Sequence, residues 1–259
     1  MQSTPFERRR AKPDRADCFF YHSFDLPHGE IFGDWDLRGR FDQYIGGLDL
    51  LGKRVLDIGT ASGFLSFEAE RRGAKVTSFD ADSTVRYCRL PHTPSRYTID
   101  RQTALEADDR WLNAVKNSYW YMHHEFNSDN KVHYGDLYNL PDSIGKFEVV
   151  LLGQFLVHNR SAIDVLEAVA RKTERYLVIT EGLWEIEEAG ARFLGKASAK
   201  EDFWSTWLYS PAFFSEICGM LGFALKSLTR NKFMCNHEKH KSDMELGTFI
   251  FERVGTSSG

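Results

Sequence analysis

The chain has 259 residues, 42% hydrophobic and 27% charged, with a formal net charge of −4. That length suits one α/β domain with extra segments, and the weak negative charge argues against a surface built to grip a nucleic-acid backbone. No stretch approaches the ~20 apolar residues that cross a bilayer, and no apolar run follows Arg8, Arg9 and Arg10 as in a leader, so the sequence reads as cytoplasmic with no membrane partner.

Residues 1–17 are polar and charged and read as a mobile tail. Its basic cluster, extended by Lys12 and Arg15, reads as a solvated arm. Residues 18–47 mix aromatics, glycines and charges, as in Phe19-Phe20-Tyr21-His22 and Gly33-Asp34-Trp35-Asp36-Leu37-Arg38. Disordered linkers are poor in aromatics, so this segment is expected to be ordered, forming an N-terminal lid on the main domain. The catalytic domain is placed at 48–254, with a short tail at 255–259.

Within that domain, 54–59 is an apolar run bounded by glycines, as in a buried strand. Residues 64–72 carry apolar residues at helical spacing and stop at Gly73. Further strands are expected at 75–80, 131–134, 148–152, 176–180, 224–229 and 246–253, with helices at 162–171 and 211–220. Strands alternating with helices predict a doubly wound, mostly parallel seven-stranded α/β sheet with flanking helices. About fifty residues separate the strands at 75–80 and 131–134, more than one crossover helix requires. A helical insertion near 90–130 is expected there, with a helix over 105–124.

The segment Val55-Leu56-Asp57-Ile58-Gly59-Thr60-Ala61-Ser62-Gly63 ends a strand, turns on glycine and opens a helix. Such a turn lets backbone approach a ligand and presents N–H groups at a helix start. A nicotinamide site calls for GxGxxG, but here the middle glycine is Ala61. A phosphate loop calls for GK[ST], which is absent. A nucleoside without a phosphate bridge remains, and S-adenosylmethionine (SAM) fits. Asp80 ends the next strand, where it would meet ribose hydroxyls. Asp136 follows the third strand, where an adenine amino group would lie.

The string VLDIGTASGFLSFEAERRGAKVTSFDAD, preceded by YHSFDLPHGEIFGDWDLRGRFDQYIGG, resembles a bacterial subfamily of class I SAM-dependent methyltransferases. That subfamily is related to tRNA wobble-uridine carboxymethyltransferases and to natural-product methyltransferases of secondary metabolism. The stretches LNAVKNSYWYMHHEF, VHYGDLYNLP and WLYSPAFFSEICGMLGF are also similar to it. The resemblance implies the Rossmann-like methyltransferase fold and SAM as cofactor. It implies that Asp57, Gly59, Ser62 and Gly63 hold the methionine part, Asp80 and Ala81 the ribose, and Asp136 with Leu137 the adenine. Trp35 and Arg38 would reach over the cofactor. Asn159, where relatives carry a cysteine, and the segment Glu181-Gly182-Leu183-Trp184-Glu185 depart from the family pattern on the substrate side.

Ligands of doubly wound sheets bind beyond the carboxyl ends of the strands. His158 is therefore a candidate general base, its plainer role being a helix cap or loop hydrogen bond. Gln154 is a candidate contact to the reacting end of the cofactor, and Tyr21 a candidate assisting base. Tyr138, Trp184, Trp204 and Trp207 are candidate aromatic faces for the sulfonium, with core packing as the plainer role. Cys18, Cys88, Cys218 and Cys235 lack CxxC spacing, which argues against disulfides or structural zinc. The run Cys235-Asn236-His237-Glu238-Lys239-His240, expected in a polar hairpin connection, has no distant partner ligands, so no metal is expected. The reading is a SAM-dependent methyltransferase of small molecules. Its alternatives are a SAM-consuming cyclase or lyase releasing methylthioadenosine, a tRNA-modifying enzyme, and a non-catalytic SAM-binding module.

Overall fold

Apolar residues on successive positions of the central strands point alternately to the two faces of one sheet. Val149 and Leu151 join one core cluster and Val150 and Leu152 the other. The same split places Val55 against Leu56 and Val178 against Leu177 and Ile179. A sheet buried on both faces needs helices on both, and the result is a three-layer α/β/α sandwich. The computed structural model describes residues 6–82, 101–195, 205–237 and 240–255.

In chain order the elements are β1 (Phe24–Leu26), β2 (Gly29–Ile31), β3 (Trp35–Asp36), α1 (Phe41–Tyr44), β4 (Arg54–Ile58), α2 (Phe64–Arg71), β5 (Lys75–Ala81) and α3 (Arg101–Glu125). Then follow β6 (Lys131–Gly135), β7 (Phe147–Gly153), α4 (Ala162–Ala170), β8 (Thr173–Glu181), β9 (Ala191–Phe193), β10 (Trp207–Tyr209), α5 (Pro211–Met220), β11 (Phe223–His237) and β12 (His240–Arg253). The main sheet runs β3-β11-β12-β8-β7-β4-β5-β6. Strands β6, β5, β4, β7 and β8 are parallel, while β12 is reversed and pairs antiparallel with both β8 and β11. Two small antiparallel sheets, β1–β2 and β9–β10, lie outside it.

The sheet thus has eight strands rather than the expected seven. The eighth is β3, whose Trp35 and Asp36 pair with Cys235 and Met234 of β11. The partner backbone exists because the last hairpin is far longer than its apolar part, reaching from Phe223 to Arg253. Cys235, expected in a loop connection, is instead a buried strand residue. Among the described residues no group of three potential metal ligands occurs and no helix is long and apolar enough to cross a membrane.

Residues 7–12, expected as part of a mobile tail, instead lie against β6 and α3. The Glu7 N–H donates to the Val132 carbonyl at 2.9 Å, at the β6 edge of the sheet. The Arg10 guanidinium sits over the Trp120 and Tyr134 rings, and Lys12 pairs with Glu125. Even an exposed cation over an aromatic face gains about 0.5–1 kcal/mol, which together with the Glu7–Val132 hydrogen bond holds this short arm in place.

Candidate active site

The carboxyl ends of β4, β5, β7 and β8 meet under the N-terminal segment. At the end of β4, Asp57 is buried; its Oδ2 accepts from Ser66 Oγ at 2.7 Å. Ser66 is linked in turn to Thr60 and Ser78, and Ser78 to the Tyr119 hydroxyl. The other oxygen of Asp57, Oδ1, is buried with no hydrogen-bond partner among the described residues. Burial, only partly offset by the Ser66 and Thr60 hydroxyls, pushes this carboxyl up to about 6.

The turn that follows is fixed by its backbone. Gly59, Ala61 and Gly63 all have positive φ (75°, 48° and 87°). The Gly59 N–H bonds the Phe79 carbonyl at 2.8 Å. A Cβ on Gly63 would collide with the Phe67 ring and approach Tyr119 Cδ2 to 2.8 Å, so packing behind the turn demands this glycine. From β5, Asp80 Oδ2 accepts the Ala61 N–H at 2.7 Å and Oδ1 accepts the Ala81 N–H at 2.7 Å. Each carboxylate oxygen keeps a further acceptor direction. Burial raises the Asp80 carboxyl, against the pull of those two N–H groups and of Lys116. Lys116 of α3 is buried, donates to the Asp82 carbonyl at 3.2 Å and sits over the Tyr134 ring.

The N-terminal segment crosses this turn. Ser62, expected to touch the cofactor, is wholly buried; its Oγ accepts from the Tyr21 N–H at 2.7 Å and from Ser118 Oγ at 2.9 Å. Trp35 packs in the core with Phe24 and Ile31, and its N–H donates to the Tyr21 carbonyl. Arg38 is committed to Asp36 and Asp25 at 2.7 Å and to Glu30 at 3.1 Å. The structure therefore gives Ser62, Trp35 and Arg38 the work of fastening the segment. Burial raises the Tyr21 phenol above its ordinary range, which makes it a hydrogen-bond donor rather than a base at neutral pH. Burial pushes the neighbouring His22 down to about 3, so its imidazole is neutral.

At the end of β7, Gln154 adopts φ 50° and its N–H bonds the Thr180 carbonyl at 2.7 Å. His158 closes the short 3-10 turn Leu156–His158, partly exposed. That turn is capped from β8: Glu181 Oε1 accepts the Phe155 N–H at 2.7 Å and also the Leu156 N–H. Glu181 is fully buried, its Oε2 has no partner among the described residues, and burial pushes its carboxyl up to about 8. Tyr44 of α1, whose ring abuts Gly153, feels both Glu181 and Asp57. Sequence reasoning missed Tyr44, whose only signal was an aromatic just before a glycine pair.

At the adenine end, Asp136 Oδ1 accepts the Tyr138 N–H at 3.0 Å, forming a local turn just past β6. Leu137 turns its side chain into the core. Ala81 is paired with Gly135, which brings the Asp80 and Asp136 ends side by side. Tyr138 and Trp207 pack against the second core cluster, and the Trp207 indole donates to the Arg160 carbonyl at 3.2 Å. The Trp184 ring lies beside Gly190. Trp204 and Cys88 lie outside the described residues.

No protein-family model and no curated protein matches the chain. Solved structures do. A Burkholderia thailandensis 1,6-didemethyltoxoflavin N1-methyltransferase, solved with its substrate and S-adenosylhomocysteine, matches with TM-score 0.53 at 12% identity, over 85% of this chain and 78% of that one. Magnesium protoporphyrin IX methyltransferase from Synechocystis, with bound S-adenosylhomocysteine, matches with TM-score 0.51 at 14% identity, over 84% and 82%. A candidate RNA methyltransferase from Pyrococcus horikoshii matches with TM-score 0.50 at 15% identity, over 84% and 85%. The chain has the α/β fold of the SAM-dependent methyltransferases. At these identities the likeness concerns the fold, and those proteins' substrates differ widely.

Proposed function

We propose that the chain is a SAM-dependent methyltransferase acting on a small molecule. The observation that carries this reading is the turn from Gly59 to Gly63, held in left-handed backbone and fastened by Asp80, beside the unpartnered Oδ1 of Asp57. These groups fit the cofactor. Asp57 would receive its ammonium, Asp80 its ribose hydroxyls, and the strand ends at Asp136 its adenine. SAM, when bound, supplies a methyl group on a positive sulfur. The chain's own part is to orient the reactants and exclude water, effects that together reach ~7–11 kcal/mol. The roof formed by Tyr21, His22 and Trp35 supports a small acceptor over a macromolecular one, as does the net charge of −4.

Calorimetry with S-adenosylhomocysteine tests the cofactor reading: one-to-one binding is expected, and no binding refutes it. A second reading, a SAM cyclase or lyase, draws on the same enclosure, since a closed site suits a reaction that needs no second substrate. The sulfur product separates the two. S-adenosylhomocysteine formed only with an acceptor supports methyl transfer, and methylthioadenosine formed from SAM alone supports the other.

A further inference from the structure

Capping the turn at 155–157 requires one acceptor oxygen, which a neutral side chain also supplies. Glu181 brings two. Its Oε1 does the capping, and its Oε2 lies buried without a partner among the described residues, at the carboxyl end of β8. The hydroxyl of Thr180, next in the chain to Glu181, donates to the Tyr44 carbonyl at 2.7 Å, and the Glu181 charge bears on the phenols of Tyr21, Tyr44 and Tyr209. Among the described residues no basic side chain contributes to the ionisation of Glu181, which is set by burial and the N–H groups of Leu156, Phe155 and Val157. Two cations that might have served are engaged elsewhere, Arg38 with its three carboxylates and Lys116 at the Asp82 carbonyl. A buried carboxylate oxygen without a hydrogen-bond partner is a site for a cation that also donates hydrogen bonds.

We propose that Glu181 Oε2 receives the ammonium group of an amine acceptor and takes the proton its nitrogen must lose before methylation. This rests on the methyltransferase reading above. In the step, one N–H bond of the ammonium breaks and an O–H bond forms on Oε2. The neutral amine keeps the electron pair, and Glu181 becomes a carboxylic acid. An ammonium of ordinary acidity, near 10, lies within reach of a carboxyl pushed up to about 8, whereas an aliphatic alcohol does not.

The test uses the full chain saturated with S-adenosylhomocysteine, titrated with ammonium probes from methylammonium to benzylammonium and with benzyl alcohol. The expected result is ammonium affinity that rises by up to about tenfold per pH unit between pH 6 and 8 and then levels, with no such rise for the alcohol. Glu181→Gln should keep S-adenosylhomocysteine affinity within about twofold while losing the pH-dependent ammonium binding. The proposal is overturned if no ammonium probe binds, if alcohol and ammonium share one pH response, or if Glu181→Gln loses S-adenosylhomocysteine in parallel. Should that variant fail to fold, the wild-type pH series alone decides. Failure of wild type to bind S-adenosylhomocysteine refutes the cofactor reading itself, a separate outcome.

Discussion

Asp80 Oδ2 accepts the Ala61 N–H at 2.7 Å, so the carboxylate that ends β5 also fixes the turn that ends β4. One side chain thereby sets the geometry of two neighbouring strand ends. Asp80→Ala should weaken S-adenosylhomocysteine binding by about 1.5–3 kcal/mol, the usual worth of hydrogen bonds to a charged group. Asp80→Asn keeps one acceptor and should lose less. Calorimetry that finds wild-type affinity in the alanine variant would remove Asp80 from the ribose site.

Gly63 and Gly145 share nearly the same φ, 87° and 89°, but only Gly63 has neighbours where a Cβ would stand. Gly145, however, combines that φ with ψ −159°, a region open essentially to glycine, so Gly145→Ala should lose about 1–3 kcal/mol from backbone strain alone. Gly63→Ala adds overpacking against Phe67 and Tyr119, for a total of about 2–5 kcal/mol. Urea unfolding measures both losses, and a Gly63→Ala loss no greater than the ~1–2 kcal/mol of left-handed backbone alone would contradict the packing role.

Ser62 accepts two buried hydrogen bonds, one from the Tyr21 N–H and one from Ser118. Ser62→Ala leaves the Tyr21 N–H unpaired, while Ser118 Oγ keeps the Val115 carbonyl at 2.7 Å, and should destabilise the fold by about 1–3 kcal/mol. Because Tyr21 belongs to the roof, amide exchange at 20–23 should accelerate more than exchange in β4. Uniform acceleration would mean that Ser62 supports the core and not the roof. Bound S-adenosylhomocysteine should slow exchange across residues 21–39 if the segment closes over the cofactor.

Glu181 and Asp57 both have carboxyls raised by burial, from 4.5 to about 8 and from 3.8 to about 6. Between the ordinary and the raised values the folded state holds a proton that the unfolded chain has released. The contribution of these two carboxyls should therefore fall as pH rises through that window, by at most about 1.4 kcal/mol per unit for each group. Below pH 6.5 the neutral His22 opposes it, so the net fall lies between pH 6.5 and 8. Glu181→Gln should flatten the part between pH 6.5 and 8. A wild-type stability that rises across that interval would contradict the burial of these carboxyls.

What was legible in the sequence was mostly local. The helix expected at 211–220 is observed with the same bounds, because Ser210 caps it and Pro211 starts it. Asp57, Gly59 and Asp80 were legible because strand, turn and strand follow one another within a short stretch. Glu181 was visible only as part of a segment that departs from the family pattern; its place beside Tyr44 depends on tertiary contacts that no local pattern encodes. The outer part of the last hairpin was invisible for another reason. Arg230 and Lys232 are exposed and Asn231 is only half-buried, so this polar stretch lacks the hydrophobic alternation that betrays a half-buried strand. The docking of Arg10 on Trp120 and Tyr134 joins residues far apart in sequence, and a cluster of arginines alone reads as solvated.

The pairing of β3 with β11 joins Trp35 to Cys235 and so spans most of the chain. During synthesis, residues that emerge in the first seconds must wait for a partner made near the end, while the parallel strands between them are already free to assemble. Such distant closures are slow, because loop entropy is lost before any contact is gained. The roof over the strand ends is therefore the last part of the site to be secured. A nascent chain stalled before residue 234 would present a formed turn at Gly59 to Gly63 beneath a cover held at Ser62 and Ala114 but still lacking its strand partner in β11.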